Sequence, residues 1–356
     1  MREGNLLSTL WESDTVGARI ARAALTPAEI AFGAITAVRS SLYSSGILPT
    51  HATALPALSV GNLTVGGTGK TPIAAHLAAR LVDLGALPAI VLRGYGEDEP
   101  LVHRVLNPNI AVIVSADRVS GVAQAKAAGC DVVVLDDAFQ HRRARRVADV
   151  VLVSADAWRP GRRRHLLPAG PWRERLTAAR RASIAIVTRK AATRDQADQV
   201  ASAIASAANV PVGIVHLSPG SLRDIRGDAM VPIDELRGRS VLAISAIGDP
   251  AAFVAQLAAA GARVTSAAFR DHYRFGASDI ATLAGEARRY DRVVCTLKDA
   301  VKLAPLWPGG SPVWYVSQRV VEERGAEVID RILTTTLAAR PASTHNGWSG
   351  SPEPRE

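Results

Sequence analysis

Ser59-Val-Gly-Asn-Leu-Thr-Val-Gly-Gly-Thr-Gly-Lys-Thr-Pro72 is a glycine-rich run held between two different apolar patterns. Before it, Leu55 to Val60 is short, apolar and strand-like. After it, an alanine-rich stretch from Pro72 to about Val82 has helical spacing. Strand, glycine loop and helix in that order are the setting that a phosphate-binding loop needs. Glycines let backbone N–H groups turn inward to phosphate oxygens, and the helix N-terminus adds partial positive charge. Gly66, Gly67, Thr68 and Gly69 are the expected cradle. Lys70 is expected on the β- and γ-phosphates, and Thr71 on Mg²⁺. The strict pattern has its first glycine at position 64, where this chain has Thr64.

Outward from that loop, strands and helices alternate. Strands are expected at Pro88 to Leu92, Ile110 to Ser115, Asp131 to Leu135, Val150 to Val153, Ile184 to Val187 and Val210 to Leu217. Helices are expected at Arg118 to Ala128 and Arg194 to Ala207. Such alternation implies a parallel sheet covered on both faces. Pro219 to Arg237 is rich in turn residues, and a second alternation follows it, ending in a helix from about Val320 to Ala339. The fold expected is α/β: a P-loop NTPase-like parallel sheet domain over 46–218 and a smaller α/β domain over 219–339. An amino-terminal segment over 1–45 and a disordered tail over 340–356 flank them.

The chain has 356 residues, of which 48% are hydrophobic but only 4% aromatic, so alanine, valine and leucine must fill the core. The net charge of +9 favours an anionic partner: nucleic acid, an acidic membrane surface or a phosphorylated substrate. Cys130 and Cys295 lie in separate apolar runs and read as reduced core residues. No secretory-signal pattern and no metal-ligand spacing stands out.

One helix is expected from Val16 to Tyr43. Ile30, Ala34, Val38 and Leu42 form an apolar stripe along it, with Arg19, Arg22 and Arg39 beside the stripe. No run of about 20 apolar residues is present, which argues against a membrane span. Two readings stand: a helix lying on an anionic leaflet, or one packed on its own domain.

Asp136-Asp137 closes a buried hydrophobic strand downstream of the phosphate loop, which is the arrangement of a Walker B pair. One or both carboxylates would hold Mg²⁺ beside Thr71. Gln140 and His141 follow directly and are candidates for contact with substrate or nucleotide. Arg142-Arg-Ala-Arg-Arg146 and Arg162-Arg-Arg164 read either as solvated basic faces or as attractors of anionic headgroups and phosphate.

Taken in order, the motifs resemble those of the tetraacyldisaccharide 4'-kinase family. Val60 to Pro72 looks like that family's phosphate loop, including the missing first glycine. Arg93-Gly-Tyr-Gly96 and Asp98-Glu-Pro100 resemble its next two motifs. Leu135-Asp-Asp-Ala-Phe-Gln-His-Arg142 and Leu167-Pro-Ala-Gly-Pro-Trp-Arg-Glu174 are similar to two more. Phe269-Arg-Asp-His272 and Thr296-Leu-Lys-Asp-Ala-Val-Lys-Leu303 resemble motifs of its second domain. The likeness runs from about Leu25 to about Leu333. Departures include Ala138 for a usual glycine, Glu97 for a glycine before Asp-Glu-Pro, and Leu297 for a usual glutamate.

The resemblance implies transfer of the γ-phosphoryl of ATP to the 4'-hydroxyl of a tetraacyldisaccharide 1-phosphate, a step of lipid A synthesis. It implies work at the cytoplasmic face of the bacterial inner membrane, and so favours the membrane-contact reading of the amino-terminal helix. It implies Asp98 as the base, assisted by His272. Arg173 is then placed near the phosphates, Glu174 near the metal and Arg93 near the substrate. The expected partners are the lipid substrate and an anionic membrane surface, with no nucleic acid. The chain is expected to act as a monomer.

Three rivals meet specific obstacles. A P-loop GTPase needs Lys and Asp one residue apart in its guanine motif, whereas Lys298 and Asp299 are adjacent. A partitioning ATPase needs a signature lysine where Val65 stands. A nucleic-acid binder would need an aromatic platform or reading motif beside its arginines, and none is recognisable.

Overall fold

The computed structural model describes residues 10–11, 13–94, 96, 98–309 and 312–340. The expected tail beyond residue 340 and the departure at Glu97 lie outside the described residues. Helices α1 (Val16–Ala24) and α2 (Thr26–Ser44) come first. The phosphate-loop half then runs β1 (Ala57–Asn62), α3 (Lys70–Asp83), β2 (Pro88–Leu92), α4 (Asp98–Leu106), β3 (Ala111–Val114), α5 (Arg118–Ala127), β4 (Val132–Asp136), β5 (Ala148–Ser154), β6 (Ile184–Arg189) and α6 (Arg194–Ala208). Next come β7 (Val212–Asp224), β8 (Met230–Val231), β9 (Ser240–Ser245), α7 (Pro250–Ala259), β10 (Arg263–Ala268), α8 (Ala277–Ala287), β11 (Arg292–Thr296), α9 (Leu297–Leu303), β12 (Val313–Arg324) and α10 (Ala326–Ala338).

One sheet holds all these strands in the order β10-β9-β11-β12-β7-β6-β5-β1-β4-β2-β3, with β8 paired to β7. Strands β6, β5, β1, β4, β2 and β3 form one parallel block, and β10, β9, β11 and β12 form another. The blocks are joined by the antiparallel pair of long strands β7 and β12. Register shows what that joint does. Strand β6 pairs with β7 up to Arg189↔His216, and β11 pairs with β12 up to Thr296↔Val316. Between those points, β7 and β12 meet at Gln318↔Pro219, beside a bulge. The carboxyl ends of the two parallel blocks therefore face each other across the middle of the β7/β12 ribbon. Ligand sites of open α/β sheets lie at strand carboxyl ends, so here two such ends open on one space.

The expected division at 218/219 falls inside β7, and the sheet continues across it. Helix α10 returns to the first half: Ile329, Ile332 and Leu333 share a buried cluster with Leu77 and Leu81 of α3. The expected last helix from Val320 is also corrected. Val320, Val321 and Glu322 pair with Leu217, His216 and Val215 as strand, and the helix starts only at Ala326. The amino-terminal helix is two helices, broken at Leu25 before Pro27, which sits in the first turn of α2.

Helix α2 is pinned to the first half. The Glu29 carboxylate is buried, binds His165 at 2.8 Å and accepts from the Leu166 N–H at 3.0 Å. Arg142 donates to the Ser40 carbonyl at 2.7 Å, and Arg181 to the Ser40 hydroxyl at 3.0 Å. Val16, Ile20, Ile30, Ile35 and Val38 remain exposed on α1 and α2. None of the described helices is long and apolar enough to cross a membrane.

Candidate active site

The phosphate loop follows β1, whose six residues are all buried. Gly66 and Gly69 have φ of 112° and 85°, a region that side chains rarely enter. A Cβ on Gly69 would also collide with the Leu217 side chain. The loop is braced from within by Asn62, which donates to the Thr68 hydroxyl at 2.8 Å. Thr188 donates to the Thr68 carbonyl at 2.9 Å, and Lys190 to the Gly67 carbonyl at 2.9 Å. Lys70 and Thr71 open α3 directly after the loop.

Strand β4 carries Asp136 and Asp137 to the same end of the sheet. The Asp136 Oδ2 meets His103 Nε2 of α4 at 2.9 Å, and both residues are buried. Its other oxygen, Oδ1, is buried with no hydrogen-bond partner. Asp137 has φ of 50° and turns its carboxylate to Arg173 Nη1 at 2.9 Å and Lys70 Nζ at 4.0 Å. Burial opposes its charge, but Lys70 and Arg173 outweigh burial and hold it below the usual carboxylate range.

Helix α4 was not expected. It starts at Asp98, with Asp98 and Glu99 in its first turn, where carboxylates suit the helix N-terminus. Asp98 Oδ1 lies 3.3 Å from His272 Nδ1. His272 reaches it from the loop after β10 on a left-handed backbone, φ 58°. Gly96 is required beneath this pair, since a Cβ there would run into both Asp98 Oδ1 and the His272 ring. Asp98 is 4% exposed, whereas the His272 side chain is 41% exposed. The pair thus presents its imidazole and buries its carboxylate. Burial alone would raise the Asp98 pKa, yet the His272 hydrogen bond with Lys298 and Lys302 keeps it low. Its hydrogen bond to the Asp98 carboxylate raises the His272 pKa, against burial and Lys298.

These groups open on one cavity of about 430 Å³. Its wall includes 65–72, Glu99, Asp136, Asp137, Arg173 and Lys190 from the first half, and Asp249, Asp271, His272 and Lys298 from the second. A second cavity, of about 570 Å³, lies under α2. Arg39, Arg118, Arg142, Arg181, Gln140, His141 and Glu174 line it, together with Phe32 and Leu167. Val65, Arg93, Asp137 and Arg173 line both cavities.

The structure thus brings Lys70, Thr71, Asp136, Asp137, Arg173, Arg93 and His272 to the first cavity, with Asp98 directly behind. Gln140, His141 and Glu174 face the second. Glu174, expected near a metal, is paired with both terminal guanidinium nitrogens of Arg181, at 2.7 and 3.0 Å. Gln140 donates to the Asn62 carbonyl at 2.8 Å. The sequence reading passed over three residues that line or brace the site: Glu99, His103 and Lys298. Burial, and then the charge of Asp136, push the Glu99 carboxyl up. The signal for Glu99 and Lys298 was their place inside two quoted motifs; His103 carried none.

An orphaned Asp136 oxygen beside a Glu99 carboxyl that burial disfavours as an anion is a site suited to a divalent cation. Among the described residues no three His, Cys, Asp or Glu side chains cluster to cage a metal. Mg²⁺ is commonly held by only one or two carboxylates, with substrate phosphates and water completing its shell.

The family model described as tetraacyldisaccharide-1-P 4'-kinase matches residues 21–105 and 97–337. A curated tetraacyldisaccharide 4'-kinase of Anaeromyxobacter dehalogenans strain 2CP-1 is 37% identical over 368 residues, spanning 93% of this chain and 95% of the relative. That of Halorhodospira halophila is 36% identical over 356 residues, spanning 93% and 97%. Among solved structures, LpxK from Aquifex aeolicus in complex with ATP superposes with a TM-score of 0.67 at 27% identity, covering 88% of this chain and 99% of that one. The motifs, the shared fold and these relatives agree: the chain belongs to the tetraacyldisaccharide 4'-kinase family.

Proposed function

We propose that this chain phosphorylates the 4'-hydroxyl of tetraacyldisaccharide 1-phosphate with ATP as donor, and does so in the cavity between the two strand blocks. One observation carries the reading: Lys70 of the phosphate loop and His272, backed by Asp98, face the same cavity from opposite halves of the sheet. Phosphoryl transfer asks for positioning and charge neutralisation more than for covalent help.

The loop amides from Gly66 to Gly69 and the start of α3 bind the donor's phosphates. Lys70 and Arg173 flank Asp137 and bring two positive charges to the cavity wall, where charge on the transferring group is spread. Mg²⁺, when bound, would supply positive charge against the donor's phosphates. The residues suited to hold it are Thr71 and Asp136, whose open oxygen is in place, with Asp137 and Glu99 beside them. The imidazole of His272 receives the hydroxyl proton on Nε2, and Asp98 steadies the resulting cation. The O–H bond breaks as the new O–P bond forms. The electron pair of the broken phosphate bridge leaves with ADP.

The arginine-lined cavity under α2 holds the acceptor. A sugar phosphate suits it, since guanidinium groups match phosphate geometry. The exposed apolar residues of α1 and α2 then meet acyl chains and an anionic membrane surface, at the cytoplasmic face of the inner membrane. One chain supplies every group invoked, so a monomer suffices. The test is transfer of labelled γ-phosphate from ATP to tetraacyldisaccharide 1-phosphate in detergent micelles. Labelled lipid is expected; ATP hydrolysis without labelled lipid would overturn the assignment.

A further inference from the structure

Lys298 stands where the two ends of the Asp98–His272 pair can both feel it. Thr296 caps α9, accepting from the Asp299 N–H at 3.2 Å, and this fixes Lys298 in the first turn on the cavity wall. The Lys298 ammonium lies 3.1 Å from Asp271 Oδ1, 3.0 Å from His272 Nε2 and 3.9 Å from Asp98 Oδ2. Asp271 also accepts from the His272 backbone N–H at 3.0 Å, so it holds both partners of that contact. Lys302, one turn on, also lies 4.0 Å from Asp98 Oδ2, but its hydrogen bonds go to Asp299 at 2.9 Å and the Tyr273 carbonyl at 3.2 Å.

The chemistry of the contact is one-directional. An ammonium has donors and no acceptor, so Nε2 must accept from it. The single proton of a neutral ring then sits on Nδ1, where it faces Asp98. Which nitrogen of an imidazole carries the proton is set by the partner of the other. The resulting tautomer leaves a lone pair on the exposed nitrogen, which is what an incoming hydroxyl requires. A hydroxyl can replace the ammonium as donor to Nε2 while the ring stays where it is.

We propose that Lys298 is a positioning residue for this reaction, holding His272 in the Nδ1–H tautomer and occupying Nε2 until the acceptor hydroxyl takes its place. The proposal rests on the reading that the Asp98–His272 pair receives the substrate proton. Lys298 acts through His272, and Asp271 acts through Lys298.

The test uses the full chain with ¹⁵N-labelled histidine, with the His272 signals assigned from their loss in His272→Gln. The wild type is expected to show His272 protonated on Nδ1, on the alkaline side of its titration. Lys298→Met keeps the aliphatic stem and removes the donors, and should move His272 toward a mixture of tautomers. Its kcat should fall about 10- to 100-fold, below the full contribution of a positioned acid–base group. Its KM for ATP should stay within about twofold, a shift worth well under 1 kcal/mol. Lys298→Arg should restore the tautomer and part of kcat. An unchanged tautomer in Lys298→Met overturns the proposal, as does kcat lost equally in the Met and Arg variants. Full transfer by His272→Gln would instead remove the reading beneath it, and the tautomer shift would still report whether Lys298 orients the ring.

Discussion

The two cavities share a wall and differ in nearly everything else. The one between the strand blocks has mixed charge: carboxylates at Glu99, Asp136 and Asp137 interleave with Lys70, Lys190 and Lys298. The one under α2 is lined by several arginines with apolar residues among them. The first is built from strand ends and helix starts, whose positions the sheet fixes. The second exists because a separate helix is laid on the sheet domain and pinned through Glu29 and Ser40. The difference teaches a division of labour. Mixed charge suits a reaction in which charge moves and a cation joins. A surplus of arginines beside apolar surface suits a bound anion carrying acyl chains. Asp137 and Arg173 lie in both walls, where donor and acceptor would meet on the proposed reading.

Variants on either side should separate the two roles. The largest effect is expected at Lys70, in the mixed cavity. Lys70→Met should lower kcat by about 100- to 1,000-fold, the usual loss for one preorganised charged group. Steady-state transfer kinetics check this, and a change confined to the lipid KM would erase the distinction. In the other cavity, burial first and Arg118 next lower the His141 pKa, and its buried Nδ1 has no hydrogen-bond partner. His141→Ala should raise the lipid KM roughly tenfold, equivalent to about one hydrogen bond. The KM for ATP should not move; if it does, the cavities are not separate binding sites.

A smaller effect is expected away from both cavities. Glu322 of β12 holds His76 at 2.8 Å and Arg80 at 2.9 Å, both on α3, and so ties the phosphate-loop helix to the ribbon between the blocks. The His76 hydrogen bond outweighs burial and, with Arg80, lowers the Glu322 pKa. A carboxylate with a depressed folded pKa contributes stability above its unfolded pKa and loses it as pH falls through the folded one. Glu322→Gln should therefore cost about 1–2 kcal/mol at neutral pH, as for one charged hydrogen-bonded group. The gap to wild type should begin to close below about pH 4, where the unfolded carboxylate takes up its proton, and vanish once the pH has fallen through the folded value. Urea unfolding at several pH values measures it, and a gap independent of pH would assign the loss to packing instead.

What could be read from the chain before its fold was known was whatever is local. The phosphate loop, Lys70, Thr71 and the Asp136-Asp137 pair lie in short contiguous motifs with fixed neighbours. Helix α4 escaped because a glycine turn and Pro100 surround its start, although proline is tolerated in a first turn. The end of β12 escaped because Val320 to Arg324 is strand only by virtue of β7 alongside it. Contacts across long separations left no trace that a single sequence can show. His103 with Asp136, and Lys298 with His272, are pairs that only the meeting of elements creates. The pairing of Asp98 with His272 was legible through the family resemblance. Which of the two is exposed was not, because exposure depends on how α4 packs beneath the loop after β10.

On the proposed reading, the exposed imidazole of His272 and the buried carboxylate of Asp98 work as one unit. Single-turnover transfer should be measured with Asp98→Asn, His272→Gln and the double variant, at saturating ATP and lipid. Each single change is expected to slow transfer about 100- to 10,000-fold, and the double change no further, because groups acting as one unit are not additive. Losses that multiply in the double variant, or transfer at the wild-type rate without His272, would contradict it.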